Sequence, residues 1–97
     1  MNADIIVEVR FRTADEGGRK GAVTGGVYGC PMFIDGEGFE CRLILEEKTL
    51  LLGETYEVAV KFMNSCVVLS KLKIGQAFTL WEGKVVADGK IQYIYQL

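Results

Sequence analysis

Three cysteines and no histidine limit the chemistry available to this chain. Cys30, Cys41 and Cys66 are odd in number and widely spaced. A zinc site needs four ligands, usually in close C-x₂-C pairs, and a disulfide scaffold needs an even count, so neither pattern is present. Cys30-Pro31-Met32-Phe33 offers no histidine or adjacent cation to stabilise a thiolate. All three thiols therefore read as small core hydrophobes in a reducing compartment. The acid pairs Asp15-Glu16 and Glu46-Glu47 stand beside turns in water-exposed composition, with no apolar surroundings to tune an acid–base pair. With no serine or cysteine nucleophile elbow either, the chain reads as a non-enzyme with no metal and no cofactor.

Two features suit recognition better than catalysis. Arg19-Lys20 lies in a glycine-rich stretch where consecutive backbone N–H groups and a cation can converge on a phosphate. With few cations nearby, a solvated loop tip whose glycines supply positive φ is the stronger reading. Trp81 is the only tryptophan. If Phe78 and Leu80 point inward, strand alternation turns Thr79 and Trp81 outward, beside Glu82-Gly83. An exposed Trp next to a turn is a candidate interface anchor, whereas a loop folded over it would make it core; the sequence leaves both open.

Which way these side chains point depends on the strands that carry them. Ile5, Val7, Val9 and Phe11 alternate with Glu8, Arg10 and Arg12, the period of a half-buried strand. Thr13 to Gly29 holds six of the 12 glycines and reads as a long loop, with room for a short strand. Cys30 to Ile34 is a brief extended piece whose Pro31 suits a strand edge or start. After the turn signal Asp35-Gly36-Glu37-Gly38, Phe39, Cys41, Leu43 and Leu45 alternate with Glu40, Arg42 and Glu46. Tyr56, Val58, Val60 and Phe62 then share a face. Phe78 and Leu80 define another strand, which Gly83 breaks. Val85-Val86 extends briefly, Asp88-Gly89 reads as the strongest hairpin dipeptide, and Ile91, Tyr93 and Tyr95 share the face of a last strand. The one helical candidate, Cys66 to Leu72, is short and β-branched. Six or so strands at short spacing predict an all-β domain spanning 1–97. A closed antiparallel barrel of six or seven strands is preferred, because closure removes exposed edges.

Size and charge narrow the partners. At 97 residues and 49% hydrophobic, the chain can bury one core and is too apolar to be disordered. No apolar run approaches the roughly 18–20 residues of a membrane span, and Met1-Asn2-Ala3-Asp4 has no secretory n-region, so the expected location is the cytoplasm. Eleven Lys+Arg against 13 Asp+Glu leave a net charge of −2 with the cations scattered. Nucleic-acid binding by this chain alone is disfavoured, because such binding needs a basic excess or a dense basic face.

Several segments in register resemble the C-terminal β-barrel domain of elongation factor Tu. Asp15-Glu16-Gly17-Gly18-Arg19 follows a strand, as the family's Glu-Gly-Gly-Arg does. Tyr28-Gly29-Cys30-Pro31-Met32-Phe33 is similar to its Tyr-Arg-Pro-Gln-Phe with one residue inserted. Phe78-Thr79-Leu80-Trp81-Glu82-Gly83, followed by Val86 and Gly89, resembles Phe-x-Ile-Arg-Glu-Gly-Gly and Val-x-x-Gly, and Leu52-Gly53-Glu54 stands where the family has Pro-Gly-Asp. The likeness runs from about Ile5 to Ile94. It implies a small antiparallel barrel standing alone, without the phosphate-cradling loop that GTP chemistry requires. Arg19, Glu82 and Gly83 match family residues that touch tRNA. Lys20, Cys30, Met32 and Trp81 replace the family's His, Arg, Gln and Arg, so the tRNA-facing set is only partly kept. The resemblance thus implies a protein-binding module that uses Arg19, Lys20, Trp81, Glu82 and Gly83, with a translation component as partner. Two alternatives are an immunity protein whose acidic surface covers a basic toxin cleft, and weak RNA or tRNA binding.

Overall fold

The computed structural model describes residues 2–95, so Met1, Gln96 and Leu97 of the expected 1–97 domain, and Met1 of the N-terminal reading, lie outside the described residues. Six strands form one closed antiparallel barrel: β1 (Ile5–Phe11), β2 (Val27–Ile34), β3 (Glu37–Ile44), β4 (Thr55–Phe62), β5 (Ala77–Trp81) and β6 (Val85–Ile94). The order around the barrel is β1-β4-β3-β2-β5-β6, with β6 pairing back onto β1. Among the described residues no helix is long and apolar enough to cross a membrane.

The alternating residues fill the interior as their spacing requires. Ile5, Val7, Val9 and Phe11 of β1, Leu43 of β3, Val60 and Phe62 of β4 and Leu80 of β5 are all at most 1% exposed. One end is closed by a short helix α1 (Ser65–Val68) and a 3₁₀ turn (Leu69–Lys71), which bury Val68 and Leu72 under the barrel. These turns overlap the helical candidate Cys66 to Leu72, and each is too short to show a helical period. Asp4 fixes α1: its carboxylate accepts from Phe62 N–H (2.8 Å), Ser65 Oγ (2.7 Å) and Lys61 Nζ (3.2 Å). Burial alone would push this carboxyl up, but those three donors outweigh burial and hold it below its ordinary value.

At the other end the chain from Thr13 to Gly26 folds over the opening. Thr13 and Glu16 cap a 3₁₀ turn (Ala14–Glu16) reciprocally, each side chain accepting from the other's backbone N–H. Val23 bridges to Leu50, and both are buried. Strand β2 begins at Val27 and is longer than the brief piece expected. Its ladder to β5 covers only Met32 and Phe33, so Pro31 lies on a stretch that is locally an edge.

Strand β6 departs most from the sequence reading. Asp88-Gly89 is no hairpin; both residues lie inside one continuous strand, paired to Arg10 and Val9 on β1 and to Thr79 and Phe78 on β5. The two-residue hairpin is Asp35-Gly36, with φ of 50° and 81°, closed by Ile34 and Glu37. Gly89 is needed for space: a Cβ there would run into the Phe78 ring and the Glu8 carbonyl. Two register shifts also reset the faces of β6. Against β5, Leu80 pairs with Ala87 and Trp81 with Val85, so Val86 is the extra residue and both Val86 and Ala87 turn inward. Against β1, Val7 pairs with Ile91 and Ile6 with Tyr93, leaving Gln92 extra. Ile94 therefore packs on the core, and Tyr93 and Tyr95 turn out to solvent, contrary to the shared face expected with Ile91.

Candidate functional site

The structure brings the glycine-rich loop and the Glu82-Gly83 turn together. Arg19 Nη1 donates to Glu82 Oε2 at 2.6 Å, the Tyr28 hydroxyl donates to the same oxygen, and the guanidinium lies 5.3 Å from the Tyr28 ring centre. Tyr28 rests edge-on against Phe11 at the top of the core. Two glycines make the approach possible. Gly18 packs where a Cβ would strike the Arg12 carbonyl, and Gly83 turns at φ 72° so that Glu82 N–H reaches Lys84 O at 2.8 Å.

Electrostatics follow this geometry. The Tyr28 hydroxyl draws the Glu82 carboxyl below its ordinary value; partial burial opposes it and Arg19 adds to it. Half-burial and the neighbouring carboxylate push the Tyr28 phenol up. Arg19 and Glu82 thus satisfy each other, and the Arg19 Nε is spent on Gly21 O at 3.2 Å. Lys20, next in sequence, is exposed.

Trp81 is not loop-covered: it is 43% exposed. It lines a groove of about 820 Å³ on the outer barrel wall, which Arg19, Lys20, Glu82 and Gly83 do not line. The five expected residues therefore form two neighbouring features rather than one patch. Phe33, Ala77, Thr79 and Val85 supply the groove's apolar surface, and Glu8, Arg10, Asp35, Asp88 and Lys90 its charge. Gly38 leaves space over which the Phe33 ring lies, its Cε2 3.1 Å from where a Cβ would sit. Arg10 is held by Glu16 at 3.0 Å and by Gly53 O at 3.1 Å. Asp88 accepts from Arg12 Nε and Nη2, at 2.7 and 2.9 Å. Strand alternation was enough to find Trp81, but nothing in the sequence joined Tyr28 to Glu82, 54 residues later.

The thiols divide. Cys30 and Cys41 face each other across β2 and β3, both buried, and Cys41 Sγ lies 3.3 Å from Cys30 O. Hydrogen bonding with the facing Cys30 thiol, together with burial, pushes the Cys41 thiol up, away from the reactive thiolate. Cys66, expected in the core, is exposed on α1 because the short helix turns it away from Val68. Among the described residues no three Cys, Asp or Glu converge as metal ligands would. A second hollow, of about 510 Å³, lies between Leu45–Leu50 and the start of β4. The chain matches no protein-family model and no curated protein.

Proposed function

We propose that this barrel is a non-enzymatic protein-binding module that recognises its partner through the Trp81 groove. The observation that carries the reading is a lone tryptophan, 43% exposed, at the edge of a groove of about 820 Å³ on a rigid wall. Tryptophan is the residue type most often found as the energetic centre of a protein interface, and one held on a strand loses little freedom on binding. The Arg19–Glu82–Tyr28 cluster fixes the turn next to Trp81 and so sets the shape of the rim. The one serine–lysine contact among the described residues, Lys61 Nζ donating to Ser65 Oγ at 3.1 Å, supports the non-enzymatic reading. Ser65 Oγ in turn donates a hydrogen bond to Asp4, and neither Ser65 nor Lys61 lines either of the two hollows described above.

The resemblance to the elongation factor barrel makes a translation component, or a protein that recognises that factor, the first partner to seek; a toxin is the second. Affinity capture from native lysate with wild-type protein and with Trp81→Ala tests the reading. The wild type is expected to retain a partner that the variant loses, while the melting temperature falls by only a few degrees. Equal capture by both overturns the groove as the site. Identification of the captured species separates translation component from toxin.

A further inference from the structure

We propose that the Trp81 groove takes an extended, basic polypeptide segment of the partner; this deepens the reading above and rests on it. The groove's charges sort into two groups. Arg10 and Asp88 are engaged within the protein, by Glu16 and Arg12 respectively. Glu8 and Asp35 accept only from the neutral amides Gln92 and Gln76. Glu57, which lines the second hollow rather than the groove, stands directly across from Glu8 on β4, and the two exposed carboxylates are side by side in register. Like charges opposite one another in a ladder are destabilising. Lys90, on the other flank of Glu8, has no ion pair among the described residues. Two unneutralised carboxylates in the groove, Glu8 and Asp35, with Glu57 at its flank, thus stand against one ammonium, which favours a cationic occupant and opposes a polyanion such as RNA.

The spacing makes that occupant a chain rather than a small cation. Glu8 pairs with Lys90, and Lys90 with Ala77 at one end of β5; Trp81 is at the other end. Four residues of strand separate the two levels, about 13 Å at roughly 3.3 Å per residue. A segment that reaches both is about five extended residues long. It places a lysine or arginine at the Glu8–Glu57 level and an apolar or guanidinium side chain on the Trp81 ring, the latter through a cation–π contact.

The test uses a capped, labelled twelve-residue peptide repeating Lys-Ile-Arg-Ser, an equal-length peptide with Glu in place of the basic residues, and a twelve-nucleotide oligouridine. Anisotropy reads binding, and the emission of Trp81, the only tryptophan, reads location. The basic peptide is expected to bind, to shift the emission, and to weaken several-fold between about 50 and 200 mM salt. Glu8→Gln with Glu57→Gln is expected to weaken it about tenfold, whereas Asp15→Asn with Glu47→Gln, which removes the same charge elsewhere, leaves it unchanged. Equal loss in both double variants, binding without an emission shift, equal binding of the acidic peptide or the RNA, or no binding at low salt overturns the assignment. These failures are distinct from failure of the groove itself, which would appear as lysate capture unaffected by Trp81→Ala.

Discussion

Gly89→Ala provides a sharp test of how β6 is built. In a strand interior, alanine ordinarily stabilises relative to glycine by roughly 0.5–1 kcal/mol, because glycine loses more freedom on folding. Here the new Cβ lies deep inside the Phe78 ring, whose Cε1 is 2.9 Å away, and against the backbone carbonyl of Glu8. The ring could yield, but the carbonyl belongs to the β1–β6 ladder that closes the barrel. Overpacking of this kind costs about 1–3 kcal/mol, and with a backbone group involved the upper part of that range applies. The expected net loss is about 2 kcal/mol, a melting temperature lower by roughly 8–16 °C for a domain of this size. Gly36 supplies the control: its φ is 81° and no atom lies within 4 Å of its would-be Cβ. Gly36→Asn should cost less than about 1 kcal/mol, since Asn tolerates the left-handed region, whereas Gly89→Asn should leave little folded protein. Circular dichroism melts and urea titrations of the four proteins read the result. A Gly89→Ala variant that melts at or above the wild type would refute the continuous, tightly packed β6.

Other consequences can be checked in the same preparations. Asp4, Glu16 and Glu82 all have carboxyls held below their ordinary values in the folded state. Their stabilisation is therefore fully present above about pH 5 and is lost as pH falls through the folded values. Asp4→Asn should cost about 2–3 kcal/mol at neutral pH by weakening charge-assisted bonds to a buried group, and should flatten the acid limb of a stability–pH curve; an unchanged limb would argue against the Asp4 latch. In native protein one thiol, Cys66, should react promptly with a thiol reagent, and three should react in denaturant; prompt reaction of Cys30 or Cys41 would mean the barrel is open there. Tyr28→Phe should cost about 0.5–1.5 kcal/mol and return the Glu82 carboxyl toward its ordinary value, visible by carboxyl NMR titration.

What was legible in the sequence was whatever strict alternation encodes. Ile5 to Phe11, Cys41 to Leu45 and Val58 to Phe62 each place their inward residues correctly, because one buried face and one wet face leave a strand a single register. One apolar face per strand then favoured a closed barrel over a sandwich, because closure removes exposed edges. The errors fall where an extra residue or a long-range contact overrides local pattern. Bulges at Val86 and Gln92 invert the phase of β6, so Tyr93 and Tyr95 were assigned to the wrong face. Asp35-Gly36 and Asp88-Gly89 are the same dipeptide; the second is held in a strand by ladders on both sides, by the Phe78 ring and by the Arg12 guanidinium, none of which is a local signal. The helical candidate Cys66 to Leu72 carries no helical period because Ser65–Val68 is barely one turn, and its position is set by Asp4, 61 residues earlier. At the site, alternation exposed Trp81, but the ion pair joining Arg19 to Glu82 spans 63 residues and no local signal carries it.

The claim that recognition belongs to one wall of the barrel is tested most directly by amide chemical-shift mapping of isotope-labelled protein titrated with the captured partner. Shifts should concentrate on Glu8, Thr79, Trp81, Val85 and Lys90, the outward residues of three adjacent strands around the groove. Shifts centred instead on the Leu45–Leu50 hollow or on the α1 end of the barrel would contradict the account.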